Sequence, residues 1–376
     1  MKQRINIAFS GRFPSEKAAG LFVAENARAL SRLYQVRIIV PKRRGVSDDP
    51  YTAYHLPSTV EVIHLPVIDL FHLPVGKGIA FYISQASFAV SLYRYLRKEG
   101  HKEILVANDL LPGLAAAGRS KLVFEVHDFP EHFLSLYRRL FKKSAIILAT
   151  NVWKKDALAQ QFPKYLNKIV MERNGVDLSS FGVSRNKEAC RRDLHLSVTA
   201  KIVVYTGHLY SWKGVDTYLA AAKLLPDVLF VCVGGTDSDL AIYKTRYADV
   251  PNILFVGQVP HDHVPLWQAA ADVLCLPNTA RELISVRYTS PMKLFEYMAS
   301  GRPIVASKIA SIQEVLPETA GFFFTPDSAE SLVVALTNAL NDEEDAVRRA
   351  GLARSLVEQF SWDERTKRLS TILNTL

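Results

Sequence analysis

Short apolar runs recur along the first half of the chain and are separated by segments with helical spacing of apolar residues. The strand-like runs cover residues 5–10, 35–41, 103–108, 121–126, 145–150 and 168–171. Helical segments between them include residues 19–33 and 109–119. Continuous apolar strands that alternate with helices are typical of a parallel sheet covered on both faces. The first half therefore predicts one doubly wound α/β domain.

The same pattern starts again after a polar stretch at residues 183–197. The second series of strand-like runs covers residues 201–207, 228–235, 253–259, 273–277, 303–307 and 320–325. Helical segments lie between them, for example at residues 215–225 and 262–270. A chain of 376 residues also exceeds the size at which one hydrophobic core usually keeps growing. We therefore predict a second α/β domain, and ligand binding at the carboxyl ends of the strands.

One short segment, "TSPMKLFEYMASGRPIVAS" at residues 289–307, places two charged side chains inside an apolar helix. Ser290 suits an N-cap, Pro291 the first helical position, and Gly301 the end, which predicts a helix over residues 291–300. The start of such a helix attracts phosphate. Glu296 would lie roughly 9 Å further along the axis, where it can accept hydrogen bonds from a sugar hydroxyl. A nucleoside diphosphate has these two features at that spacing.

A complementary cation lies in "YTGHLYSWKGVD" at residues 205–216, where a strand ends at Gly207 and a loop carries His208 and Lys213. Lys213 can neutralise a diphosphate, and Gly214 allows close approach of the backbone. Either motif alone is common on protein surfaces. Their occurrence in one predicted domain favours a phosphate-binding site. Lys293 fits either a role in this site or a solvated position.

The chain resembles the retaining glycosyltransferases of family 4. The motifs that carry the resemblance are "RNGVD" (173–177), "YTGHLYSWKGVD", "FVGQVPHDHV" (255–264), "AADVLCLPN" (270–278), "SPMKLFEYMASGRPIVAS" (290–307) and "FSWDERTKRL" (360–369). They follow the family's order through almost the whole second half. In the first half only "GRFPSEKAAG" (11–20) and "EVHDF" (125–129) are recognisable.

The resemblance implies the GT-B fold, in which two Rossmann-like doubly wound domains face each other. It implies an acceptor-binding domain at residues 1–178, a nucleotide-sugar-binding domain at 179–359, and a final helix at 360–376 that crosses back to the first domain. The implied reaction is transfer of a sugar, with retention and without a metal, from a UDP-sugar or GDP-sugar to a glycan, a glycolipid or another acceptor. No further cofactor is implied.

The resemblance also implies roles for individual residues. Glu296 would bind the ribose and Lys213 the diphosphate, while backbone amides around Thr289 and Ser290 would cap the distal phosphate. His127 would face the transferred sugar. The remaining implied contacts are close backbone access at Gly11 and Gly207, and backbone contacts to the base near Gly257 and Val259.

Two positions depart from the family pattern. The family commonly has two glutamates eight residues apart, and the first of these positions is Tyr288 here. It also commonly has arginine where this chain has His208. We expect Lys213 to carry more of the phosphate neutralisation, with Arg281 or Arg287 as helpers.

Charge divides the chain unevenly. Residues 1–180 contain 26 Lys and Arg against 15 Asp and Glu, a net charge of +11, and the remaining residues contain 20 against 22, a net charge of −2. This difference indicates an anionic partner for the first half, such as a phosphorylated acceptor or an acidic membrane surface. The basic amphipathic segment at residues 133–147 suits such a surface, although a core-packed helix with a basic outer face has the same pattern. We expect no nucleic-acid partner.

The remaining features favour a cytoplasmic protein, peripheral at a membrane at most. The three cysteines, Cys190, Cys232 and Cys275, lack CxxC spacing and are expected to be reduced. The apolar segment 78–93 is too short and too polar to span a membrane. We read Asp237 and Asp239, which resemble a metal-binding DxD pair, as solvated carboxylates.

Two other functions compete with sugar transfer. Tandem α/β domains also serve dehydrogenases, but the first strand is followed by Gly11 and Gly20 without the GxGxxG spacing of a dinucleotide site. A non-catalytic nucleotide-binding or scaffold protein of the same fold would explain the departures at Tyr288 and His208. Intact Glu296, Lys213 and His127 favour the enzyme.

Overall fold

A computed structural model describes residues 2–15, 17–46, 48–99, 103–182 and 185–376. Glu16 in the motif at 11–20, and Val183 and Ser184 in the polar stretch, lie outside the described residues. The chain divides into two compact units. Unit 1 comprises Met1–Asn174 and Trp362–Leu376, and unit 2 comprises Gly175–Ser361.

Unit 1 is built on a seven-stranded parallel sheet. Its strands are β1 (Arg4–Ala8), β2 (Gln35–Lys42), β3 (Val60–Pro66), β4 (Ile104–Ala107), β5 (Lys121–Val126), β6 (Ile146–Ala149) and β7 (Ile169–Met171). Their spatial order is β3-β2-β1-β4-β5-β6-β7. The order reverses between β1 and β4, and ligands of doubly wound sheets bind outside the carboxyl ends of the strands at that point.

Helices cover the sheet of unit 1. They are α1 (Ala18–Leu30), α2 (Pro50–Ala53), α3 (Lys77–Glu99), α4 (Leu110–Ala116), α5 (Leu134–Lys143), α6 (Val152–Gln161) and the last helix of the chain, α16 (Trp362–Leu373). Fully buried aromatic residues such as Phe88, Phe124 and Phe141 form much of one core layer. The helix α16 belongs to unit 1, as predicted, and Ser370 on it accepts a 2.8 Å hydrogen bond from the Tyr34 hydroxyl.

Unit 2 repeats the architecture with six parallel strands. They are β8 (Lys201–Thr206), β9 (Val228–Val233), β10 (Ile253–Gly257), β11 (Val273–Leu276), β12 (Ile304–Ser307) and β13 (Phe322–Phe324), in the order β10-β9-β8-β11-β12-β13. Its helices are α7 (Leu178–Phe181), α8 (Lys187–Asp193), α9 (Val215–Leu224), α10 (Asp237–Arg246), α11 (Val264–Ala270), α12 (Met292–Ser300), α13 (Ala310–Gln313), α14 (Ala329–Asn341) and α15 (Glu343–Val357). The order reverses between β8 and β11.

The predicted α/β fold with two parallel sheets is confirmed, with differences in detail. The strand β3 was not predicted, because Glu61 and His64 interrupt its apolar pattern and it forms the edge of the sheet. The helix α12 begins at Met292, so Pro291 rather than Ser290 occupies the cap position. Cys190, Cys232 and Cys275 are buried and free of disulfides, as expected. Among the described helices, none combines the length and apolar content needed to cross a membrane.

Candidate functional site

Three neighbouring strands of unit 2 end in glycines that pack backbone against backbone. Gly207, Gly234 and Gly257 follow or end β8, β9 and β10 with φ of 124°, 115° and 86°, values that favour glycine. The Gly207 N–H donates to the Val233 carbonyl at 2.8 Å, and the Gly234 N–H to the Gly257 carbonyl at 2.7 Å. A Cβ on Gly234 would lie 2.4 Å from the Gly207 oxygen. The strand ends therefore present bare backbone beside the reversal point of the sheet.

Lys293 lies directly beside this strand end. It is 8% exposed, and its Nζ lies 3.9 Å from the centroid of the Tyr205 ring. A Cβ on Gly207 would come within 2.8 Å of that Nζ. Among the described residues, the Nζ atom has no hydrogen-bond partner. Burial, together with the charge of Lys213, holds the pKa of Lys293 well below its usual value.

Lys213 interacts electrostatically with Lys293, and these two residues form the lysine cluster of the site. It ends a short 3₁₀ turn, and its Nζ lies 3.7 Å from the centroid of the Trp212 ring. Burial lowers the pKa of Lys213 to about 7, against the opposing effect of the Glu296 carboxylate. Gly214, at φ 69°, follows immediately, and a Cβ there would lie 1.8 Å from the Pro277 carbonyl oxygen. This close approach fixes the loop of Lys213 on the end of β11.

Glu296 lies on the same helix as Lys293 and is also 8% exposed. Its Oε1 is 3.3 Å from Nε2 of His261, which belongs to a 3₁₀ turn after β10. The negative charge of this carboxylate partly opposes the lowering of the pKa of Lys213 and of Lys293. The three side chains therefore share one electrostatic environment. The helix start lies one residue closer to Glu296 than predicted, which shortens the separation to roughly 7.5 Å.

The segment before α12 contains the remaining predicted contacts of unit 2. Ile284–Tyr288 form one π-helical turn, and the Thr289 N–H donates to the Ile284 carbonyl at 2.9 Å. The backbone N–H of Thr289 therefore already has an acceptor, whereas those of Met292 and Lys293 in the first turn of α12 have no acceptor within the helix. Tyr288, Thr289 and Ser290 are half-buried.

The other sequence candidates of unit 2 are His208, Val259, Arg281 and Arg287. The ring of His208 lies 5.0 Å from that of Tyr210, and Val259 is half-buried two residues after Gly257. The proposed helpers are solvent-exposed. Arg281 forms a 3.8 Å ion pair with Asp327, and the side chain of Arg287 is exposed.

Unit 1 contains two of the sequence candidates. Gly11 follows β1, and a Cβ there would lie 2.2 Å from the Phe9 ring. His127 follows β5 with its ring 4.8 Å from that of Phe22 in an edge-to-face contact. Its Nε2 lies 3.6 Å from Glu125 Oε1. The sequence analysis missed Glu125, although residues two apart in a strand point to the same face.

The DxD pair has a local structural role, and Asp237 is exposed to solvent. Asp237 and Asp239 lie in the first turn of α10, where Thr236 and Asp239 form a reciprocal capping box. Within the described residues, no group of three His, Cys, Asp or Glu side chains is placed to hold a metal ion.

Comparison with known proteins identifies the domain that contains the lysine cluster. Residues 200–342 match the family model "Glycosyl transferases group 1". A D-inositol 3-phosphate glycosyltransferase from Corynebacterium urealyticum is 23% identical over 281 residues, which are 70% of this chain and 64% of the relative. The matched region thus spans less than two thirds of that relative.

Two solved structures share the fold. Sucrose-phosphate synthase from Thermosynechococcus elongatus has a TM-score of 0.83 and 19% identity, with 100% of this chain and 99% of that chain covered. Anabaena HepE in complex with UDP-glucose has a TM-score of 0.77 and 19% identity, with coverages of 99% and 100%. The resemblance identified from the motifs is confirmed, because residues 200–342 match the group 1 glycosyl transferase model.

Proposed function

We propose that the protein is a retaining glycosyltransferase that moves a sugar from a nucleoside diphosphate sugar to an anionic or lipid-linked acceptor. The observation that carries the proposal is the pair of desolvated lysines, Lys213 and Lys293, beside the glycine end of β8. Two lysines, Lys293 buried and without a hydrogen-bond partner among the described residues and Lys213 half-buried, are placed to bind an anion with several acceptor oxygens.

The geometry suggests how the donor would be held in unit 2. The diphosphate would lie against Lys213, Lys293 and the first turn of α12, where the backbone N–H groups and the helix dipole favour negative charge. Glu296 would then accept hydrogen bonds from the ribose. The same groups would stabilise the leaving diphosphate as charge develops on it, which supplies the electrostatic part of catalysis without a metal.

The donor base and the stereochemistry belong to the proposal as well. We favour UDP as the nucleotide of the donor, because the similar structure of HepE is a complex with UDP-glucose. Retention follows from the resemblance to family 4, which also assigns His127 to the transferred sugar. Gly257 and Val259 stay the predicted base contacts.

The acceptor is inferred from charge. The first half of the chain has a net charge of +11, and the matched relative from Corynebacterium is named for a phosphorylated inositol. A phosphorylated polyol or the headgroup of an acidic lipid has the complementary charge. The cytoplasmic location and a peripheral contact with a membrane stay predictions.

The proposal is tested by the melting temperature of the intact chain with UDP, GDP, ADP, dTDP, CMP and NAD in turn. A nucleotide at 100 times its Kd adds about 2.7 kcal/mol, which moves Tm by roughly 5 to 10 °C. We expect a shift with UDP that is lost in Glu296→Ala and kept in the control Glu344→Ala, whose carboxylate is exposed on α15.

Turnover then separates enzyme from binding protein. Release of UDP from UDP-glucose in the presence of a phosphorylated polyol, with chelator present, supports the transferase. A UDP shift without any turnover would favour the non-catalytic reading, which the departures at Tyr288 and His208 motivate. A shift with NAD alone would favour a dehydrogenase and overturn the proposal.

A further inference from the structure

We propose that Arg365, on the last helix of the chain, positions His127 through the buried carboxylate of Glu125 and so fixes which ring nitrogen of the histidine accepts a hydrogen bond. The significance of that atom for sugar transfer rests on the proposed function. The positioning itself rests on the contacts within unit 1.

Glu125 and Arg365 form a fully buried ion pair. The side chains are 2% and 1% exposed, and Arg365 Nη2 lies 2.8 Å from Glu125 Oε1. Burial alone would raise the pKa of Glu125, but the charge of Arg365 and the contact with His127 hold it below its usual value. The carboxylate is therefore ionised at neutral pH, and an ionised carboxylate can only accept hydrogen bonds.

The guanidinium of Arg365 has no freedom to turn away. Its Nη1 donates to Asn26 Oδ1 at 2.6 Å, and its Nε donates to the Arg173 carbonyl at 3.0 Å. The rings of Phe22 and Trp362 flank it at 5.3 and 5.6 Å. The helix α16 thus holds the position of the Glu125 carboxylate.

His127 is constrained from two sides. Its buried Nε2 lies 3.6 Å from Glu125 Oε1 and has no hydrogen-bond partner among the described residues, whereas 27% of the side chain is exposed. The exposed part therefore belongs to other atoms of the side chain. The ammonium of Lys154 donates to Thr150 Oγ1 at 2.9 Å, to the Val126 carbonyl at 3.2 Å and to the His127 carbonyl. Backbone and ring are both held.

These contacts select one tautomer. A lone pair on Nε2 would face the negative carboxylate 3.6 Å away, so the neutral ring places its proton on Nε2 and leaves the lone pair on Nδ1. Nδ1 is then an acceptor for a hydroxyl of the sugar. A buried ion pair is weak evidence for stability, since apolar residues of similar volume are often at least as stable. Selection of the histidine tautomer gives this pair a function that an apolar pair lacks.

The tautomer is measured directly by ¹⁵N NMR of histidine-labelled protein without ligand. The His127 signals are assigned by their loss in His127→Asn. We expect the Nε2–H form in the wild type. In Arg365→Met the carboxyl of Glu125 loses its counter-charge, protonates and donates to Nε2, so the proton moves to Nδ1. Glu125→Gln should give a mixture, because an amide can donate or accept.

The matched control is Arg368→Met. Arg368 lies on the same helix and pairs with the buried Glu172 at 2.7 Å. We expect this variant to keep the wild-type tautomer. An Nδ1–H form in the wild type, or equal effects of the two arginine variants, would overturn the inference. If Arg365→Met does not fold, the double variant Glu125→Gln with Arg365→Met removes both charges, and a mixture of the two tautomers is the expected result, whereas an unchanged Nε2–H form would contradict the inference.

Kinetics add a second readout. Loss of a residue that orients an active group typically costs about 10- to 100-fold, so kcat should fall by that factor in Arg365→Met while the UDP-induced Tm shift stays. A wild type with the Nε2–H form but without transferase activity would refute the proposed function and leave the positioning intact. Transferase activity in a wild type that has the Nδ1–H form would support the proposed function and refute the positioning of His127.

Discussion

At the scale of single residues, Lys293 shows why the sequence alone leaves a site role open. A lysine within a short helix is compatible with a solvated position, and nothing in the residues around it decides between the two. The packing excludes the solvated position, because the side chain is buried with its Nζ beside the Tyr205 ring and the backbone of Gly207. Such a burial destabilises the empty protein, and an anion that binds there would remove the cost.

The lysine pair predicts how nucleotide affinity depends on pH. The pKa of Lys213 is about 7 in the empty site, and a bound diphosphate would raise it, so binding above pH 7 takes up a proton. We expect the Kd for UDP to increase between pH 7 and pH 9, by up to about tenfold per pH unit if one proton is taken up. Isothermal titration calorimetry at pH 7, 8 and 9 measures it.

The control for this pH dependence removes a lysine elsewhere. In Lys213→Met the affinity should be lower throughout and depend less on pH, whereas Lys223→Met should behave as the wild type because its side chain is 45% exposed and pairs with Asp249. A wild-type Kd that stays constant from pH 7 to pH 9 would contradict the assignment of Lys213 to the diphosphate.

At the scale of elements, the junction between the Lys213 turn and α9 offers a matched pair of glycines. Gly214 and Gly301 both have φ of 69°, but a Cβ on Gly214 would meet the Pro277 carbonyl oxygen at 1.8 Å, whereas nothing lies within 4 Å of one on Gly301. Gly301→Ala should therefore cost only the left-handed conformation, about 1 to 2 kcal/mol. Gly214→Ala should cost more, because the loop must also move.

Urea denaturation of both variants measures this difference in the free energy of unfolding. We expect Gly214→Ala to be less stable than Gly301→Ala by at least about 2 kcal/mol, since backbone atoms cannot rotate away as side chains do. The UDP-induced Tm shift should also decrease in Gly214→Ala, because the displaced loop carries Lys213. Equal stabilities would mean that the loop yields freely and does not position the lysine.

The elements also show what periodicity can predict. All six strands of unit 2 were predicted because each is a continuous apolar run, which a fully covered parallel strand requires. The edge strand β3 was not predicted because Glu61 and His64 interrupt its apolar run. The end of α12 at Gly301 was readable from a glycine followed by Pro303, whereas its start was misplaced by one residue, since serine and proline both suit a helix start.

At the scale of the molecule, contacts between distant parts of the chain were beyond the sequence analysis. The motif at 360–369 implied a helix that returns to the first unit, but it did not indicate that Arg365 pairs with Glu125, 240 residues earlier. A buried arginine and a surface arginine look alike in one sequence. Only the fold distinguishes Arg365 from Arg368, whose side chain is 42% exposed.

The basic first half predicts salt-sensitive binding to anionic vesicles. On α5, Leu140 and Phe141 are fully buried in the core of unit 1, so the helix cannot insert them into a membrane. Its outer face is available for charge alone and comprises the exposed residues Arg138, Arg139, Lys142 and Lys143. Each basic residue near an anionic surface contributes about 1 kcal/mol, and the attraction decays over about 10 Å at 0.1 M salt.

We therefore expect the protein to sediment with phosphatidylglycerol vesicles at low ionic strength and to be released by salt. Replacing the four basic residues of α5 by glutamine should lower the partition coefficient by about a thousandfold, since about 4 kcal/mol of attraction is lost. The control carries the same number of glutamines on the exposed surface of unit 2, at Lys201, Lys223, Lys244 and Arg246. Binding that persists in high salt would point to apolar insertion by another surface. Absence of binding at any salt would leave a soluble phosphorylated acceptor as the anionic partner of the basic half.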